Sequence, residues 1–390
     1  MKRLIIIFCI LVIIGCDSSR IDMAGISMEI IDSSEVIDVS DALGQKKLIE
    51  DIVSDVSIVQ LETKEESILS YIYQVELAGN YIYIRDDYDG GNVAIFDKNG
   101  KFIKRLPHGS GPQEVDNAFA MYFDSESSCL YVYDDTAEKI VKYSSTGEYI
   151  NTYYCDMILS GLAIENGKFL FVQEGMQSST GNFVLTEIDT TSHVSKELFL
   201  GNGHFVYLSK YIQKCDEGCL ITIPWGNVIF RCHNGKVLKK YIVKNINTED
   251  LDYSKYGDDF EMRGSLSSDA LVFDGSCIET KNYHIFGFVG QTYSSYKHFI
   301  RNKKLKDWYE VSYSTLLYSF IRKVSVFDYD HDCFVGILLP ECLMNEQSPP
   351  SSYDFSNPHN LISSEDMAKL KSVKPDDNPL VITYRLKFDK

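Results

Sequence analysis

The sequence predicts an all-β fold, a six-bladed β-propeller closed by pairing of its N-terminal and C-terminal strands. Two observations point to blades. A unit of short alternating strands and tight turns recurs, and almost nothing carries helical periodicity. The spacing of the unit, about 45 residues, is that of four-stranded blades. A third observation points to closure: the last strand-like run stands alone at the end of the chain, in a blade that is otherwise one strand short. Each blade alone exposes two apolar faces; a closed ring buries them and protects the sheet edges.

At the N-terminus, Lys2 and Arg3 precede an apolar run from Leu4 to Ile14 that ends in Gly15-Cys16. The run is shorter than the roughly 20 residues a membrane span needs and suits the core of a signal peptide. Residues 1–15 are therefore read as a lipoprotein signal peptide, with Cys16 as the lipidated residue. The chain would then be held at a membrane by lipid, in the cell envelope, with the outer membrane favoured and the face left open. A buried apolar segment with an incidental Cys is the structural alternative. Residues 16–54 are polar or weakly patterned and are expected to serve in part as a tether.

The propeller is assigned to residues 55–390. Blades one and two carry the clearest copies, Tyr81–Asp86 with Val93–Phe96, and Leu130–Asp135 with Lys139–Tyr143. Their last two strands meet at Asn99-Gly100 and Thr146-Gly147, where glycine supplies the positive φ of a tight hairpin. Blade four repeats the turn at Asn234-Gly235, and a weaker copy at Asp189–Ser192 falls midway. An insertion near residues 245–268 separates blades four and five, and a second, near 340–378, interrupts blade six. The second contains the one helical-looking piece, Ser363–Leu370, with a Ser cap and an acidic first turn. Leu380–Leu386 follows, and Val56–Glu62 can supply the strand that blade six lacks.

The segments "VSIVQLETKEESIL" (Val56–Leu69), "NVAIFDKNGKFIKRLPHGSGPQEV" (Asn92–Val115) and "DNPLVITYRLK" (Asp377–Lys387) resemble the six-bladed β-propeller lipoproteins of Bacteroides and its relatives, with NHL-like blades. The resemblance spans about residues 50–390. It implies a fold and an envelope location; it implies no reaction, so no catalytic residue is carried over.

Composition narrows the function. The chain has 38 Lys+Arg against 56 Asp+Glu and a net charge of -18, which repels phosphate backbones and makes nucleic acid a poor partner. The 13% aromatic content, mostly Tyr and Phe, suits packing between blades. Removing the leader and Cys16 leaves eight cysteines, an even number that permits disulfides. Cys215 and Cys219 bracket a turn and are expected to be able to face each other; free half-buried thiols are the alternative. Metal-type CxxC spacing is absent, and neither a metal site nor a cofactor is expected.

Candidate ligand-binding residues follow the second strand of each blade, where binding loops of a propeller begin: Arg85, Asp86, Asp134, Glu174, Trp225 and Gln291. Paired carboxylates such as Asp86-Asp87 and Asp134-Asp135 bind cations or act as acid and base; alternatively they hold turn backbones. Trp225, in Pro224-Trp225-Gly226, can stack on a sugar or a peptide side chain, or can plug the channel. His108–Glu114 reads as a rigid crossing between blades. No nucleophile motif appears. The expected function is a ligand-binding or protein-interaction module for an unidentified peptide, glycan or envelope protein. A propeller-type lyase or hydrolase at the channel mouth is the competing class. A structural partner contacting the acidic stretch 245–268 is a third possibility.

Overall fold

The computed structural model describes residues 19–387 apart from 21, 28–29, 87–90, 156–158, 176–179, 190–193, 205–211, 224–225, 250, 252–254, 257–258, 293–294, 306, 313–325, 329 and 341–360. Six antiparallel sheets form the blades of a β-propeller. Blade one is the simplest: Ile72–Ala78, Tyr81–Asp86, Asn92–Asp97 and Phe102–Arg105, paired in chain order from the axis outward. Blades two to five repeat this order over residues 118–154, 159–204, 212–243 and 272–312.

Blade six takes three strands from the C-terminal part, Val326–Asp328, Cys333–Leu338 and Leu380–Leu386, and its outer strand, Val53–Gln60, from the N-terminal part. Ile382 faces Ile58 and Tyr384 faces Val56 in antiparallel register, so the ring closes as the strand count required. The turn glycines behave as expected, with φ of +86° at Gly100, +77° at Gly147 and +68° at Gly235. At Gly100 there is also no room for a Cβ, which would fall 2.1 Å from the carbonyl of Gln60 in the closing strand. The turn expected at Asp189–Ser192 lies largely outside the described residues.

The core sits between blades, because neighbouring residues of a strand face opposite seams. In blade one, Tyr83, Val93 and Ile95 pack with Met121, Leu130 and Val132 of blade two. Ile82, Ile84 and Phe96 turn the other way, against Cys333, Val335 and Val381 of blade six. The remaining seams repeat this arrangement. Aromatic pairs cross them: Tyr83 stacks on Phe123 at 5.5 Å, and Tyr131 meets Phe169 edge-on at 5.6 Å. The Tyr and Phe surplus therefore fills the wedge between radiating sheets.

The N-terminal segment differs from expectation. Within residues 16–54, expected to serve in part as a tether, Ser19–Arg20, Asp22–Ser27, Ile30–Ile37 and Lys46–Leu48 pair in parallel with the outer strands of blades two, three, four and five in turn. The chain girdles the rim before entering blade six. Outer edges are unpaired hydrogen-bonding surfaces, and this strap covers them. Ile37 and Val39 pin it, buried among Tyr241, Val243 and Phe273.

Cysteine placement also differs. Lys214, not Cys215, is the register partner of Cys219, so Cys215 points to the other side of the sheet. Cys219 instead lies opposite Cys232. The cysteines of the described residues are free thiols, and Cys342 lies outside those residues.

Candidate site at the channel mouth

Propeller topology sorts the loops by face. The second strand of each blade ends on the face where the first strand begins, and the turn joining them lies on the other. Of the candidate residues, Arg85, Asp86, Asp134 and Gln291 end or follow second strands and therefore share one face. The described ends of both insertions, which connect blade four to five and the second to the third strand of blade six, leave from the same face.

The opposite face is bridged across the axis. Lys214 of blade four donates to Asp330 of blade six at 2.7 and 2.9 Å, and to Ser125 of blade two at 2.9 Å. Tyr122 lies beside this bridge; its hydroxyl donates to the carbonyl of Ile164. Burial pushes its phenol well up, reinforced by Cys219, Glu76, Asp124 and Asp330, groups drawn from four blades. The bridge ties blades two, four and six together on this face, and the candidate residues lie on the opposite, loop-bearing face, termed the mouth.

At the mouth, Arg85 is held rigidly. Its guanidinium donates to the carbonyl of Ala118 at 2.8 Å and lies over the rings of Tyr73, at 4.7 Å, and Phe119, at 5.9 Å. Tyr73 in turn meets Tyr71 edge-on at 5.0 Å. Tyr71 is 65% and Tyr73 41% exposed, unusual for rings beside a propeller axis. Tyr71 immediately precedes the first strand, and Tyr73 is the extra residue of a β-bulge in it, between Ile72, which pairs with Asp86, and Gln74, which pairs with Arg85. Next to them, Asn117 donates to the Asp135 carboxylate at 2.7 Å; burial pushes that carboxyl above its ordinary value, against the pull of Asn117.

Asp86 and Asp134 are fully buried and engaged. Asp86 accepts from Arg105 at 2.8 Å and from the Ser70 amide at 3.2 Å. Asp134 accepts from the amides of Asp116, Asn117 and Ala137 and lies 3.6 Å from the equally buried ammonium of Lys139. Both stitch loop backbone to blade, as repeated aspartates in turns do. The crossing His108–Glu114 is fixed in the same way: Lys139 donates to the carbonyl of Gly111, Tyr143 to that of Gln113 and Thr152 to that of Pro112.

Gln291 is exposed beside Gly290, whose carbonyl accepts from Arg263 of the first insertion. That insertion carries a short helix, Asp259–Gly264, whose Met262 packs with Leu266, Val272 and Val289. Trp225 and the side chain of Glu174 lie outside the described residues. Thus Arg85 is joined by three aromatics that sequence reasoning did not select, Tyr71, Tyr73 and Phe119. The available signal was Tyr71-Ile72-Tyr73, an aromatic alternation at the start of an inner strand. Among the described residues, no cluster of three His, Cys, Asp or Glu side chains is arranged to hold a metal ion.

Two solved structures share this architecture. A protein from Bacteroides fragilis described as exported superposes with a TM-score of 0.63 at 16% identity, covering 92% of this chain and all of its own. A member of the DUF4221 family from Bacteroides vulgatus gives 0.51 at 11% identity, covering 86% of this chain and 97% of its own. At such identities the likeness is one of fold. No curated protein matches the chain. A family model does, over residues 34–385, from within the strap to the closing strand, and the chain belongs to that family, the domain of unknown function DUF4934.

Proposed function

We propose that the chain is a lipid-anchored, NHL-like propeller of the bacterial envelope that binds a peptide or glycan at its channel mouth. The observation that carries the reading is the aromatic corner of Tyr71 and Tyr73 backed by Arg85. Exposed rings stack on sugar faces and on peptide side chains, and a guanidinium pre-set by Ala118 adds a donor at little entropic cost. The bridge at the other face, from Lys214 to Asp330, makes this mouth the natural entrance. The Gly15-Cys16 leader pattern and the likeness to a protein described as exported support the envelope location.

The test is binding of the wild-type propeller to glycan and peptide arrays, compared with a Tyr71→Ala/Tyr73→Ala double variant. Selective ligands lost in the double variant support the reading; ligands retained by it place binding elsewhere. The competing lyase or hydrolase reading draws on the raised Asp135 carboxyl, a potential proton donor. Turnover of a selected ligand that Asp135→Asn abolishes would favour it.

A further inference from the structure

We infer that the outer rim of blades one and two lies directly against the membrane surface, so that the propeller stands on its side with its axis along the membrane plane. The inference rests on the lipid-anchor reading above and goes beyond it. Ser19 is already in register with Tyr153 on the outer strand of blade two. Three residue steps from Cys16 span about 10 Å at most. A lipid on Cys16 thus has no slack, and the rim beside residues 149–154 is drawn to the headgroups.

The surface there is built for such contact. Ile150 is 47% and Ile103 42% exposed, on the outer strands of adjacent blades, with Tyr149 exposed beside them. The two strands are joined at the rim: Lys104 pairs with Glu148 at 2.8 Å. The turn at Gly147 packs so closely that a Cβ there would approach Ile95 and Leu106 of blade one. Outer strands in blades two to five carry a strap strand, whereas none pairs with Phe102–Arg105 among the described residues. Charge agrees. In a chain of net charge -18, the stretch 98–105 holds four cations and no acidic residue; Lys104 is paired with Glu148 and Arg105 with Asp86, which leaves Lys98 and Lys101. Lys98 and Lys101 are exposed beside the apolar pair. Basic side chains flanking exposed apolar ones suit a phosphate headgroup layer, and the rest of an acidic molecule is repelled from it.

The full chain, acylated in its host, is reconstituted in phosphatidylethanolamine–phosphatidylglycerol vesicles. Acylation of Cys16 is checked by mass, and amide hydrogen exchange is then compared with a variant carrying a flexible Gly-Ser linker of about twelve residues after Asp17, which adds about 20 Å of reach. The expected result is exchange at least about tenfold slower at residues 101–105 and 149–152 in the native-length protein, and fast in the linker variant. Equal exchange in two properly acylated proteins overturns this orientation alone. Protection that persists without vesicles and rises with protein concentration also overturns it, in favour of a second copy. An unacylated Cys16 overturns the anchor reading and the orientation together.

Discussion

Asp86 and Asp134 show what a repeated residue means in a repeat protein. Their recurrence at the ends of two second strands was legible in the sequence, but the same spacing fits ligand binding and loop stitching. Burial decides between them. Asp134 and Lys139 are both inaccessible to solvent, so removing the carboxylate strands an ammonium. Asp134→Ala is expected to cost about 3–5 kcal/mol, read from urea unfolding. Glu279 is a second such point, between blades four and five. Burial raises its carboxyl, yet hydrogen bonds from His284 and Lys303 and the charges of Lys303 and Arg231 together hold it far below the carboxylate range. His284 is lowered by burial, partly offset by Glu279. Both folded values lie below the unfolded ones, so both contributions are complete above about pH 6.5. The His284 part is lost as pH falls below that value, and the Glu279 part only below about 4.3. Stability should therefore decline on acidification, and Glu279→Gln should lower it at pH 7 by about 3–5 kcal/mol while flattening the decline below pH 4.

At the scale of elements, strong period-two runs and glycine turns were readable, and so was the Ser363 cap, whose hydroxyl accepts from the Asp366 amide at 3.0 Å. The strap was not. Only Ile37 is buried in Ile30–Ile37, because an added rim strand faces solvent along most of its length and so lacks the apolar alternation of a blade strand. The helix Asp259–Gly264 escaped for another reason: six residues are too few for a period, and Met262 with Leu266 is a faint signal. If the strap is structural, Ile37→Ala should lower stability by about 2–4 kcal/mol. Ile31→Ala, at an exposed strap position, should change it by less than about 0.5 kcal/mol. A free tether would make both neutral, a contrast that thermal unfolding resolves.

Over the whole molecule, the turn spacing and the missing strand of blade six foretold ring and closure, since each is written as local pattern. The mouth face was foretold by the ends of the second strands, but the bridge opposite was not, because it joins residues with no pattern in common: Lys214, Asp330 and Ser125 meet only once three alternate blades surround an axis. Closure predicts all-or-none loss of the ring. Thr383 sits between two partners, Val335 and Ser57, so Thr383→Pro removes an amide from the middle of blade six and should abolish cooperative unfolding as followed by calorimetry. The mouth predicts a local effect instead: Tyr71→Ala/Tyr73→Ala should leave the melting temperature nearly unchanged and weaken ligand binding at least about tenfold, about 1.4 kcal/mol or more. Binding at the mouth is tested by hydrogen exchange of the propeller with and without an array-selected peptide or glycan. Protection is expected to concentrate at residues 70–74, 85 and 117–120. Protection confined to the Lys214–Asp330 face or to the outer rim would contradict it.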